Sequence, residues 1–215
     1  MEHRLNFEFQ ARYYTLGEAS EHTEQLWFVC HGHGQLAQYF IKKFEVLNNG
    51  KNLIVAPEGL SRYYLQGFKG RVGATWMTKE DRLSDIQNYL TYLEAVFEKL
   101  RGSLKPNVKV NLLGFSQGAA TVSRFATQTH IDFDKLVLWA GIFPPDLPPL
   151  ESAEKLQGKS AYWVYGEQDE YLSAGVMEEQ EAIASRLGIS PIVKSFAGGH
   201  ELNDEILLEI AAEQP

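Results

Sequence analysis

At 215 residues the chain can build one α/β unit with a well-buried sheet, and it is too short for two ordinary domains and a linker. A hydrophobic share of 44% is that of a globular protein, and a formal net charge of −8 argues against nucleic acid and against docking on anionic lipid through a basic face. No stretch approaches the roughly 20 apolar residues needed to span a bilayer, and the single cysteine, Cys30, rules out an intrachain disulfide.

Taken in chain order, residues 5–9 and 12–16 alternate like the two strands of an opening antiparallel hairpin, without the apolar core of a signal peptide. Residues 26–30 form a continuous apolar strand, 36–47 an amphipathic helix and 52–56 a second strand. A long helix over 83–100 leads to a strand at 108–113, followed by a helix of small residues from Ala119 to Thr129. Strands at 135–139, 161–165 and 192–196, with helices near 176–187 and 202–212, complete the chain. Strands alternating with helices mean a mostly parallel sheet covered on both faces. The expected arrangement is one domain over 1–215, without internal repeats.

The segment 57–82 breaks the alternation. It has no strong period, yet it holds Tyr63, Tyr64, Phe68 and Trp76 among several glycines. So long a loop in a compact domain is usually functional or disordered, and its aromatics argue against disorder. It reads as a lid or pocket wall, with a satellite hydrophobic cluster as the competing reading. On the first reading Trp76 and Phe68 touch substrate. Ile142 and Phe143, just after the strand at 135–139, offer apolar surface to the same pocket, beside the stiff run 144–149.

Chemistry enters at Gly114-Phe115-Ser116-Gln117-Gly118, between a strand and a helix. A strand turning directly into a helix through G-x-S-x-G forces the serine into a strained turn, with its hydroxyl raised at the carboxyl end of the sheet. A glycine-rich turn with a capping serine would share these five letters, so the partners decide. A serine nucleophile needs a base and an acid that orients the base. Asp169 ends the strand at 161–165 within Gly166-Glu167-Gln168-Asp169, and His200 follows the last strand within Gly198-Gly199-His200. Of six histidines only His200 lies beyond Asp169, which gives the order serine, acid, histidine. Glu167 and Glu170 are rival acids nearby.

The strand at 26–30 runs into His31-Gly32-His33-Gly34, where acyl transfer needs an oxyanion donor. The backbone N–H of His33 fits that role, together with that of Gln117 after the serine. Metal binding through His31 and His33 is the competing account, and no third histidine or cysteine motif accompanies them. Cys30, inside an apolar strand, reads as packing rather than as a nucleophile.

These stretches, with Ala56-Pro57, resemble the phospholipase/carboxylesterase family of α/β-hydrolases, small serine esterases that include acyl-protein thioesterases. The resemblance spans nearly the whole chain. It implies the α/β-hydrolase fold, with Ser116 as nucleophile, Asp169 and His200 as acid and base, and the His33 and Gln117 amides as oxyanion hole. It implies hydrolysis of esters of small or medium acyl groups through an acyl-enzyme, with thioester or lysophospholipid hydrolysis as the alternative. No metal or other cofactor is implied. The chain departs from the family at Gln35, Glu58 and Glu170, where Asp, Asn or a small residue, and Pro are usual, which bears on substrate choice. A catalytically silent small-molecule-binding module is the reading from another class. The expected setting is the cytoplasm, and the sequence allows a homodimer without specifying one.

Overall fold

Strands that are apolar throughout must be buried on both faces, and their residues sort alternately into two cores. The computed structural model describes residues 1–213, so positions 214 and 215 of the expected domain lie outside the described residues. In chain order the elements begin with β1 (Tyr13–Leu16), β2 (Gln25–Cys30), α1 (Ala37–Phe40) continued by a 3₁₀ segment (Ile41–Leu47), and β3 (Asn52–Pro57). Next come β4 (Ser61–Gln66), β5 (Lys69–Thr75), α2 (Arg82–Arg101), β6 (Lys109–Phe115), α3 (Gln117–Gln128) and β7 (Lys135–Trp139). The chain closes with α4 (Pro149–Leu156), β8 (Ser160–Gly166), α5 (Ala174–Arg186), β9 (Ile192–Phe196) and α6 (Asp204–Ala212). In β2, Leu26, Phe28 and Cys30 join a core with α2 and α3, whereas Trp27 and Val29 join a second core with α1, its 3₁₀ extension and α6.

The main sheet has seven strands in the order β1-β3-β2-β6-β7-β8-β9. All neighbours are parallel except β1, which runs antiparallel to β3 with Tyr13 opposite Pro57 and Leu16 opposite Ile54. This is the α/β-hydrolase arrangement, mostly parallel with an antiparallel start. The partner of that first strand differs from the expected hairpin. Residues 5–9 take no strand conformation, and Leu5 and Phe7 are exposed. Alternation marks which faces a strand would have but not which edge it would find, and the edge beside β1 belongs to β3.

The segment 57–82 also differs from the expected irregular loop. It holds the antiparallel hairpin β4–β5, in a sheet of its own, turning at Gly67 with φ +62°. Most of β4 and the first half of β5 face solvent, so the apolar alternation that announces a strand is missing. Helix α4, inside a proline-rich stretch, had no such announcement either; Pro149 opens it at a position where a missing N–H costs nothing. Among the described residues no helix is long and apolar enough to cross a membrane.

The topology fixes where a site can form. After β2 the chain turns to α1 on one face, and after adjacent β6 it turns to α3 on the other. Their carboxyl ends therefore flank a crevice at the topological switch point, where open α/β sheets bind ligands.

Candidate active site

Ser116 stands at that crevice, between β6 and α3. Its φ of 54° and ψ of −119° are a conformation that non-glycine residues adopt only when their surroundings enforce it. The enforcement is visible on each side: the Ser116 N–H donates to Trp139 O at 2.9 Å, and its carbonyl accepts from Ala119 N at 2.9 Å. Both flanking glycines are required by close approach rather than by φ. A Cβ on Gly114 would strike the backbone of Gly118, and one on Gly118 would strike the carbonyl of Cys30. The turn thus clamps α3 against β2 and β6, and leaves Ser116 at a helix N-terminus, where negative charge is favoured.

His200 and Asp169 lie in direct contact. His200 Nδ1 donates to Asp169 Oδ2 at 2.8 Å, which leaves Nε2 with its lone pair. The Asp169 side chain is fully buried, and its other oxygen accepts from Tyr171 N at 3.0 Å. Neither rival acid is so placed, because Glu167 accepts from Ser195 Oγ and Glu170 is exposed. Gly166 makes the arrangement possible, since any Cβ there would meet the carbonyls of Gly198 and Gly199. The His200 ring packs between Phe115, centroids 4.9 Å apart, and Tyr171 at 4.8 Å. Through Phe115 it adjoins the serine, although Ser116 Oγ has no hydrogen-bond partner among the described residues. Such bonds are often loose in a ligand-free site and tighten when substrate binds.

The loop after β2 is held from three directions. Gly34 N donates to Ala74 O at 2.8 Å, and Ala74 N returns a bond to Gln35 O at 3.1 Å, tying the loop to β5. Gln35, one of the departures from the family pattern, accepts from Gly32 N through Oε1 at 2.8 Å and so closes the turn. His33 Nδ1 lies 3.2 Å from Thr75 Oγ1, and its Nε2 lies 2.5 Å from the Tyr63 hydroxyl. The backbone N–H groups of His33 and Gln117 donate to no other described residue. A loop braced in this way keeps such donors pointed without rearrangement.

His31 has a different role from its neighbour. Its side chain is fully buried, Nδ1 donates to Gly32 O at 2.8 Å, and Nε2 accepts from Gly59 N at 3.0 Å. Both nitrogens are therefore occupied, and burial pushes its pKa down to about 4. In the unfolded chain the imidazole takes a proton near pH 6.5, whereas the folded one stays neutral until about pH 4. Stability is expected to be full above pH 6.5 and to fall as pH drops towards 4, by up to about 3 kcal/mol from this group. Urea unfolding at a series of pH values measures the slope, and His31→Gln should flatten it. An unchanged slope in that variant would assign the acid sensitivity to other groups.

Of the other positions expected to touch substrate, the structure distributes them unevenly. Trp76 is buried, tilted over His31 at 4.9 Å between centroids, and donates through Nε1 to His31 O at 2.8 Å. Phe143 is buried in the α2–α3 core, Ile142 is half-buried beside it, and Phe68 is fully exposed at the hairpin tip. Trp76 is therefore expected to support the site from behind rather than to touch substrate. Trp76→Ala is expected to cost about 3–5 kcal/mol, which thermal melting should register as a fall of roughly 6–20 °C. Relative rates on short and long acyl esters should stay as they are; a changed profile with an unchanged melting temperature would return Trp76 to the pocket wall.

Several contributors escaped the sequence reading. Besides its N–H, Gln117 accepts through Oε1 from Trp76 N at 3.2 Å and Thr75 Oγ1 at 3.0 Å, and donates through Nε2 to Met77 O at 2.9 Å. It staples the base of the hairpin to the elbow. Glu58, buried, accepts from Ala37 N at 3.1 Å and Arg12 Nε at 2.7 Å, which caps α1 from the neighbouring strand. Deeper in α3, buried Arg124 pairs with Asp146 at 2.7 Å, and Asp146 also pairs with Arg82 at 2.8 Å, tying α2, α3 and the 141–149 loop together. The Asp146 carboxyl is held below the usual range: burial opposes ionisation, and the two guanidinium groups outweigh it.

No protein-family model matches the sequence. Among solved structures the chain is similar to a carboxylesterase from Mesorhizobium loti, with a TM-score of 0.71 at 18% identity over 94% of this chain and 95% of that one. It is similar to acyl-protein thioesterase 2 from Zea mays, with a TM-score of 0.69 at 19% identity over 94% and 96%. A phospholipase/carboxylesterase from Dyadobacter fermentans aligns with a TM-score of 0.66 at 16% identity over 96% and 98%. At these identities the likeness is one of fold, over nearly the full length of each partner. The proteins that share the fold carry the family names that the sequence motifs resemble.

Proposed function

We propose that this protein is a serine hydrolase that cleaves carboxylic esters of small or medium acyl groups through an acyl-enzyme. Two observations carry the reading: Ser116 is held at φ 54° at the switch point, and His200, packed on the neighbouring Phe115, has its Nδ1 fixed by a buried carboxylate. In this reading His200 Nε2 takes the Ser116 proton as Oγ attacks the ester carbonyl. The oxyanion is met by the amides of His33 and Gln117, and the imidazolium then protonates the departing alcohol. Asp169 steadies that cation and fixes the tautomer. Water repeats the sequence on the acyl-enzyme and releases the acid.

Thioesters would pass through the same steps, and the likeness to a thioesterase of the same fold keeps that second reading alongside the first. We place the protein in the cytoplasm, on the ground that its single cysteine is buried and unpaired. A fluorophosphonate probe, which phosphonylates only activated serines, tests the function directly. Labelling confined to Ser116 is the expected result. Absence of labelling in folded protein would favour a silent binding module.

A further inference from the structure

Beside the braced loop lies a groove of about 730 Å³ between α1 and the β4–β5 hairpin. Leu36, Tyr39, Leu65 and Val72 supply apolar walls, and Lys43 and Arg71 bring one cation from each side. No carboxylate lines it, in a chain with a net charge of −8, and neither cation is ion-paired among the described residues. The groove begins at Gly34, the residue after His33, where a Cβ would lie 3.2 Å from Leu65 Cδ2. A second cleft, of about 610 Å³, sits near Gln25 and Lys109 at the amino ends of the strands and mixes Glu21 and Glu24 with its lysines. Of these two, the first adjoins the candidate site.

We infer that this groove binds the acyl arm of the substrate and selects arms that end in an anion, a carboxylate or a phosphate. The inference rests on the hydrolase reading above. In that reading the leaving group must receive its proton from His200, which stands with Phe115 and Tyr171, and none of these lines the groove. The arm beyond the oxyanion loop is therefore the acyl one. Its methylenes would lie along Leu36, Tyr39, Leu65 and Val72, and its charged end would reach Lys43 and Arg71. Exposed ion pairs are individually weak, up to about a fivefold gain each, so two should give a clear preference rather than an absolute one.

The test uses p-nitrophenyl pentanoate, p-nitrophenyl hydrogen glutarate with the same number of carbons, and p-nitrophenyl 4-phosphonobutanoate. Wild-type protein is expected to favour the anionic esters by roughly fivefold or more in kcat/KM, less at high salt. In Lys43→Ala/Arg71→Ala the ratio should fall to near one, while Lys42→Ala, outside the groove, keeps the wild-type ratio. A larger gain for the phosphonate than for the glutarate would assign the arm to a phosphate, and the reverse to a carboxylate. A wild-type ratio near one, or a preference that survives the double substitution, overturns the proposal. Calorimetric titration with glutarate and 4-phosphonobutanoate decides the groove independently of turnover: binding lost in the double variant supports it, and no binding by wild type overturns it. Failure of the hydrolase reading would appear separately, as no fluorophosphonate labelling of Ser116.

Discussion

Replacing Ser116 by alanine is expected to lower ester hydrolysis by several orders of magnitude and to abolish fluorophosphonate labelling, leaving only residual rate from oriented donors. The fold should survive, because alanine at φ 54° carries the same backbone strain as serine and Ser116 Oγ has no hydrogen-bond partner to lose among the described residues. Asp169→Asn should cost about two decades or more, since an amide cannot hold the His200 tautomer that the 2.8 Å bond now fixes. Glu170→Gln should cost little, as Glu170 is exposed. Measuring kcat/KM for the three variants separates these roles. A dead Glu170→Gln beside an active Asp169→Asn would move the acid elsewhere, and an active Ser116→Ala would end the serine mechanism.

The second large effect distinguishes two histidines at one site. His200 is proposed to work through its ring, so His200→Ala should lose on the order of a thousandfold or more. His33 is proposed to work through its N–H, which alanine retains. His33→Ala should therefore stay within roughly tenfold of wild type, the loss coming from a loosened loop once the bonds to Thr75 and Tyr63 are gone. His33→Pro removes the amide itself and should be far worse, provided circular dichroism shows an intact fold. If folded His33→Ala proves as inactive as His200→Ala, the imidazole takes part in the chemistry and the oxyanion donors must be reassigned.

Much of the frame was legible because burial on both faces writes itself plainly into sequence. Each apolar strand from 26–30 to 161–165 is present within a residue or two at either end, and the positions of Ser116, Asp169 and His200 at strand ends follow from that alternation. What escaped detection shares one cause. The hairpin β4–β5, the unpaired residues 5–9 and the hydrogen bonds from Tyr63 and Thr75 to His33 depend on contacts between distant segments, largely near solvent, where no apolar period records them. The Gln117 side chain leaves no local signal, because its amide finds partners some 40 positions earlier in the chain. Trp76 shows the converse: an aromatic in a glycine-rich stretch suggests a pocket wall, whereas the structure buries it with its ring against that of His31.

The β4–β5 hairpin is fixed at one end only. Its base is stitched to the elbow and to the loop after β2, whereas its turn at Gly67 and Phe68 projects into solvent with few neighbours. Such a layout separates inheritance from experiment: the root must stay constant for the chemistry to persist, while the tip can lengthen, shorten or change character at little cost to it. Lineages could diversify what approaches the site by rewriting a few exposed positions, and a protein engineer could use the same turn as the place to graft new contacts.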